Sequence, residues 1–298
     1  MNKVCVLMST YNGEKFLKEQ IESLINQRDI EIDVFVRDDG SRDLTQEILD
    51  SYKTKGVKWY KGKNLGAAMS FMELMFKAPE ADYYAFCDQD DVWKNNKLAE
   101  AVRCIEASCS DKQTPVMYFS NVEVVNERLE LIQTSDIDKS YNNLKKVLLS
   151  NNAIGCTIVF NSALMHKVRM YEPQYVYMHD WWVYSLCLCL GGKVVFDSKA
   201  YIMYRQHGSN CLGYSSRKKN IFKAIFSKSE CIASRQAKEL LNGYQHLVQT
   251  EEKAILETVA LYRKKWKLKW RLLKDNSFYK VKGIGLIKEK LSVIRNRK

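Results

Sequence analysis

Over the first 125 residues, short runs rich in β-branched and aromatic side chains alternate with stretches of helical periodicity. That alternation builds βαβ units and a largely parallel sheet covered by helices. Val4–Met8 reads as the first strand and Glu14–Gln27 as a helix with Leu17, Ile21, Leu24 and Ile25 on one face. Ile32–Arg37 is the next strand. Asp43 with Gln46 three residues on has the spacing of a capping box for the helix carrying Ile48, Leu49 and Tyr52. Val57–Tyr60, a helix near Ala67–Phe76, the strand Tyr83–Cys87 and a helix over Asn95–Cys109 continue the series. From about residue 116 to 212 the segments are mixed, with strands expected at Val116–Phe119, Val122–Val125, Cys156–Phe160, Val194–Phe196 and Tyr201–Tyr204. Helices are expected there at Ser162–Tyr171 and Asp180–Leu190.

With 46% apolar and 11% aromatic residues among 298, the chain has enough material for one large core or two modest ones. Met1-Asn2-Lys3 leads straight into Val4–Met8, too short for a signal-peptide core, and no run approaches about 18 uninterrupted apolar residues. A cytosolic protein without a spanning segment is expected. The nine cysteines, an odd number without CxxC spacing, read as reduced thiols and not as a zinc site.

In an open parallel sheet, ligands bind beyond the carboxyl ends of the strands. Those positions are unusually polar here: Ser9-Thr10-Tyr11-Asn12 after the first strand, Asp38-Asp39-Gly40-Ser41 after the second, and Asp88-Gln89-Asp90-Asp91 after Tyr83–Cys87. Each alone reads as a solvated turn; three converging on one sheet edge read as a site. Carboxylates at i and i+2 on a strand end point the same way, and their repulsion calls for a cation. A hard divalent ion, Mg²⁺ or Mn²⁺, takes oxygen ligands and shares its remaining positions with phosphates. No P-loop is present, which argues against an ordinary nucleoside triphosphatase.

Taken in order, Ser9–Asn12, Asp38–Ser41 with Asp43, Asn64-Leu65-Gly66 and Asp88–Asp91 resemble the nucleotide-sugar motifs of the large family of inverting, DxD-containing GT-A glycosyltransferases. The similarity spans about residues 3–212. The resemblance implies a Rossmann-like α/β fold with a mixed, mostly parallel sheet, a nucleotide-binding half over 1–115 and an acceptor-binding half over 116–212. It puts Thr10, Tyr11, Asp38, Asp39 and Asn64 at the nucleotide, and Asp88 and Asp90 at ribose and metal, with Asp90 the first metal ligand. Asp91 is either a second ligand or a helix cap. In His179-Asp180-Trp181-Trp182, Asp180 holds the position of the family's general base, and His179 replaces the usual first acid, as in members that resemble bacterial rhamnosyltransferases. An Asp at a helix start has a plain electrostatic explanation as well. Trp181 and Trp182, with His179, are placed on the acceptor side or, for Trp182 above all, in the core. Asn151–Thr157 resembles the acceptor-side loop. In Tyr204-Arg205-Gln206-His207, Arg205 and His207 are assigned to the departing diphosphate, His207 as a further metal ligand.

The donor implied is a nucleoside diphosphate sugar, dTDP-L-rhamnose ahead of UDP-hexose or UDP-N-acetylhexosamine, and the acceptor a saccharide or lipid-linked saccharide. The competing readings are a nucleotidyltransferase, which would want a basic triphosphate loop near the first strand, and a non-enzymatic basic scaffold.

The charge is uneven. Residues 213–298 hold 22 Lys/Arg against 7 Asp/Glu, whereas the remainder holds 25 against 28. Ser216–Lys228 sets five basic residues around Ile221, Phe222, Ile225 and Phe226, and Tyr262–Lys274 repeats the theme with Trp266, Trp270 and Leu273. A basic amphipathic helical tail lying on the anionic inner face of a membrane is expected, in preference to nucleic-acid binding. A helical bundle serving as a homodimer surface is the alternative.

Overall fold

The computed structural model describes residues 1–137, 142–208 and 232–279, and single residues at 286, 290, 293 and 294. The expected helix over Ser216–Lys228 lies outside the described residues. In chain order the elements are β1 (Lys3–Thr10), α1 (Leu17–Ile25), β2 (Glu31–Asp38), α2 (Thr45–Ser51), β3 (Val57–Lys61), α3 (Gly66–Lys77), β4 (Tyr83–Cys87), β5 (Val92–Trp93) and α4 (Lys97–Ser108). They continue with β6 (Val116–Val125), β7 (Leu131–Thr134), α5 (Leu144–Leu149), β8 (Val159–Asn161), α6 (Ser162–Arg169), α7 (His179–Cys189) and β9 (Lys193–Arg205). Helices α8 (Ile232–Tyr244), α9 (Thr250–Leu261) and α10 (Trp266–Lys274) follow.

One nine-stranded sheet runs in the order β3-β2-β1-β4-β8-β6-β9-β5, with β7 on the side of β6. β1 pairs in parallel with both β2 and β4, and β2 with β3, which is the expected βαβ half. β8 then enters antiparallel between β4 and β6, making the sheet mixed. The uninterrupted apolar run of β1 follows from burial on both faces: Val4, Val6 and Met8 enter one core cluster, Cys5 and Leu7 the other.

Several elements differ from expectation. Val116–Val125 is one strand, because Ser120 and Asn121 are buried and paired; Asn121 Nδ2 donates to the Ser198 carbonyl at 2.9 Å where the β6–β9 register shifts. Lys193–Arg205 is likewise one strand. The segment expected as Cys156–Phe160 opens with a 3₁₀ turn, Gly155–Thr157, before β8. Asp43 does accept from the Thr45 N–H at 3.1 Å, but Gln46 turns to Asp38 and the Ser41 carbonyl, so no capping box forms. β5, β7 and α5 are too short to announce themselves by period.

Residues 232–261 share a core with α6 and α7. Ala237, Leu240 and Tyr244 of α8 and Leu256 and Val259 of α9 join the cluster that contains Val168, Trp182 and Leu186. Gly243 admits this closeness: a Cβ there would sit 2.4 Å from the Tyr171 ring. The Tyr244 hydroxyl donates to the Lys167 carbonyl at 3.0 Å. Among the described residues no helix is long and apolar enough to cross a membrane, and the cysteines are free thiols.

Candidate active site

The carboxyl ends of β1, β2 and β4 open into a cavity of about 360 Å³. Tyr11, Asp39, Asn64, Asp88 and Asp90 line it from the first half, and Ile154, Met178, His179 and Asp180 from the second. Residues 141 or more positions apart in sequence, Tyr11 or Asp39 and Asp180, thus meet in one space. The loops are clamped together: the Tyr11 N–H donates to Gln89 Oε1 at 2.8 Å, and Gln89 Nε2 donates back to the Tyr11 carbonyl at 3.1 Å. Gly13 lies where a Cβ would fall 2.4 Å from that Gln89 oxygen.

The two acids at the carboxyl end of β2 stand differently toward the cavity. Asp38 is fully buried and does not line the cavity. Its carboxylate accepts from the Ser41 N–H at 3.1 Å, Gln46 Nε2 at 2.9 Å, Thr10 Oγ1 at 3.3 Å and the Ser41 hydroxyl. Thr10, equally buried, donates that bond and, like Asp38, does not line the cavity. Asp39 accepts from the Leu65 and Gly66 N–H groups, both at 2.9 Å, and pairs with buried Arg37. It therefore fixes the start of α3 while one side of it faces the cavity.

At the end of β4 the balance differs. Asp90 Oδ2 lies 2.7 Å from His207 Nε2. Asp91 is buried; its Oδ1 accepts from the Arg205 N–H at 2.9 Å and its carboxylate lies beside the Cys156 thiol. Burial, then the charges of Asp90 and Asp88, push its carboxyl well above the usual carboxylate range. The ligand atoms of Asp88, Asp91 and Cys156 lie within 4.8 Å of one another. Cys156 is fully buried and its thiol is pushed up by desolvation, which leaves a soft, protonated group there. A hard ion prefers oxygen ligands, which Asp88 and Asp90 offer, to a thiol, and His207 is in contact with Asp90. The charge density that raises Asp91 is what such a cation would relieve.

Arg205 does not line the cavity. Its guanidinium is held by Glu19, the Asp90 carbonyl (2.8 Å) and the Glu127 carbonyl, over the Phe16 ring. It ties the acidic turn to α1 and the β6–β7 loop.

On the second half, Asp180 is in the first turn of α7; Oδ2 accepts from Asn151 Nδ2 at 2.9 Å and Oδ1 from the Trp181 N–H at 2.7 Å. Asn151 thereby connects the acceptor-side loop to the acid. The tryptophans leave the site: Trp182 is in the core, and Trp181 is buried with its indole N–H on the Val147 carbonyl at 2.6 Å. His179 stacks on Phe71 with ring centroids 3.8 Å apart, and neither ring nitrogen has a hydrogen-bond partner. Burial holds its pKa down at about 4, so it is neutral at pH 7.

Sequence reasoning passed over two contributors. Phe71, on the cavity side of α3, had no signal beyond its place in an apolar stripe. Lys97 is buried at the start of α4, its ammonium 3.3 Å from the Trp93 ring centroid, and desolvation lowers its pKa to about 7. Asp91, Cys87 and Cys156 are its electrostatic neighbours, which puts a readily deprotonated amine beside the acidic turn.

A mixed sheet with this order, helices on both faces and an acidic turn at the end of β4 define an enzyme of the GT-A glycosyltransferase type. The chain belongs to glycosyl transferase family 2, whose sequence profile matches residues 5–168. It is similar to the dTDP-rhamnosyl transferase RfbG of Shigella flexneri, 27% identical over 69% of this chain and 73% of that protein. The Escherichia coli UDP-Glc:alpha-D-GlcNAc-diphosphoundecaprenol beta-1,3-glucosyltransferase WfgD is 24% identical over 61% of this chain and 68% of its own length. Among solved structures, S. aureus TarS 1-349 in complex with UDP-GlcNAc superposes with a TM-score of 0.58 at 18% identity, covering 99% of this chain and 89% of that one.

Proposed function

We propose that the protein moves a sugar, with inversion, from a nucleoside diphosphate donor to a hydroxyl of a lipid-linked or polysaccharide acceptor in cell-surface polysaccharide synthesis, at the cytoplasmic face of the membrane. The favoured donor is dTDP-L-rhamnose; UDP-hexose and UDP-N-acetylhexosamine are the other candidates. The observation that carries this reading is the single cavity shared by Asp88, Asp90 and Asp180. The donor preference rests on the His179-Asp180-Trp181-Trp182 wording together with the similarity to RfbG. The lipid-linked acceptor is supported by the similarity to WfgD.

Asp180 takes the proton of the acceptor hydroxyl while its oxygen attacks the anomeric carbon, and the bond to the diphosphate breaks on the opposite face. One displacement inverts the centre. Asn151 orients the Asp180 carboxylate. Asp88, Asp90 and His207 would hold a divalent cation, Mn²⁺ or Mg²⁺, which supplies positive charge against the departing diphosphate. Tyr11, Asp39 and Asn64 border the space for the nucleotide.

Thermal-shift screening of dTDP-, UDP- and GDP-sugars with Mn²⁺, followed by NMR of the product's anomeric configuration, tests the proposal. The largest shift is expected with dTDP-L-rhamnose, and the product should be inverted. No response to any nucleotide sugar, or a retained configuration, would refute it.

A further inference from the structure

Helices α8, α9 and α10 treat their apolar residues in opposite ways. α8 and α9 bury Ala237, Leu240, Leu256 and Val259 in the core. In α10, Trp266 and Trp270 are 66% and 55% exposed. Four residues apart, they lie on one face of the helix. Lys267, Arg271 and Lys274, all exposed, continue that face over an arc of about 140° at 3.6 residues per turn. Between Arg263 and Lys274 there are seven basic residues and no acid. Among the described residues, no ion pair engages Lys264, Lys265, Lys267, Arg271 or Lys274.

This face is held in place by the opposite side of the helix. Leu272, on the other side of the helix, is fully buried and its carbonyl accepts from the Tyr279 hydroxyl at 3.0 Å. Just past the helix end, Asp275 pairs with Lys145 of α5 at 2.8 Å. A helix fixed at its back with two tryptophans and a basic flank turned outward has the amphipathic form of an interfacial helix.

We infer that the Trp266–Trp270 face of α10 is a docking surface for an anionic lipid bilayer, on which the indoles enter the headgroup layer and Lys267, Arg271 and Lys274 meet lipid phosphates. Indoles partition to the headgroup level because one edge is apolar and the N–H is polar. Basic side chains add attraction of about fivefold in partitioning each, which falls with salt. A second copy of the chain is a poor occupant, since contact through this face would set like charges against each other. With only two indoles, attachment is reversible. The surface would bring the enzyme to the lipid-linked acceptor of the proposed reaction, but the test below contains neither donor nor acceptor, so it can fail without that reading failing.

The full-length protein is sedimented with vesicles of phosphatidylcholine alone and of phosphatidylcholine with phosphatidylglycerol, at low and high salt, beside a single-stranded RNA control. Binding to the anionic vesicles only is expected, weakened by salt. The double variant Trp266→Ala, Trp270→Ala should lower it by about tenfold or more, and Lys267→Glu with Arg271→Glu by at least that again. All four residues are exposed, and an unchanged melting temperature verifies folding. Wild-type binding by the tryptophan variant, equal binding to neutral vesicles, or tight RNA binding without vesicle binding would overturn the assignment.

Discussion

β2 and β4 both flank β1, and each ends in an acidic turn, yet the two turns serve opposite ends. At the end of β2, Asp38 and Asp39 are supplied with backbone N–H groups, hydroxyls, an amide and Arg37. At the end of β4, Asp88, Asp90 and Asp91 crowd together, and Asp91 is driven toward its neutral form. Carboxylates rich in donors hold structure. Carboxylates that burden one another are poised to bind a cation, and Asp180 opens onto the same cavity.

The largest expected effect separates catalysis from scaffolding. Asp180→Asn should lower the rate of transfer by at least about 10² while donor binding persists, because an amide cannot take the acceptor proton. Near-normal turnover would reduce Asp180 to a residue that favours the helix start.

A second effect concerns His179, whose neutral form is imposed by burial. Its folded-state pKa lies below the unfolded value, so the unfolded chain binds the extra proton first. Stability is therefore unaffected above about pH 6.5 and is lost as pH falls from there toward 4. Urea unfolding at pH 7 and near pH 4.5 should show wild type losing roughly 2–3 kcal/mol more than His179→Phe, which keeps the stack on Phe71. Parallel losses in both proteins would place the ionisation elsewhere.

The smallest effect tests the comparison itself. Asp38→Ala orphans the Ser41 N–H and the Thr10 hydroxyl and should cost about 1–3 kcal/mol of stability, with nucleotide affinity kept in the folded protein. Asp90→Asn, which relieves repulsion, should do the reverse: little change in melting temperature and a loss of metal-dependent binding. Exchange of those two phenotypes would mean the roles of the turns are inverted.

The strand centres were legible because Val4–Met8 and Tyr83–Cys87 are apolar on both faces, and the cavity's acids because they follow those strands. What the sequence could not show was which acids are satisfied. The donors to Asp38 and Asp39 include Thr10, Leu65 and Gly66, all more than 20 positions away and joined only by folding. For the same reason the sequence does not show that Glu19 and the Glu127 carbonyl surround Arg205. Trp182 carries no mark separating a sugar platform from a core residue; the packing of Tyr244 against it decides. The charge of the tail overshadowed the apolar stripe by which α8 joins the core, so removing the chain after residue 212 would strip buried surface from Trp182 and Val168.

The central claim is that the turn after β4 is a cation-dependent nucleotide site. Isothermal titration of the full-length protein with the nucleoside diphosphate of its donor, once in Mn²⁺ and once in EDTA, tests it most directly. The account predicts binding in Mn²⁺, little or none in EDTA, and none in either condition for Asp90→Asn. Equal affinity with and without the cation would contradict it.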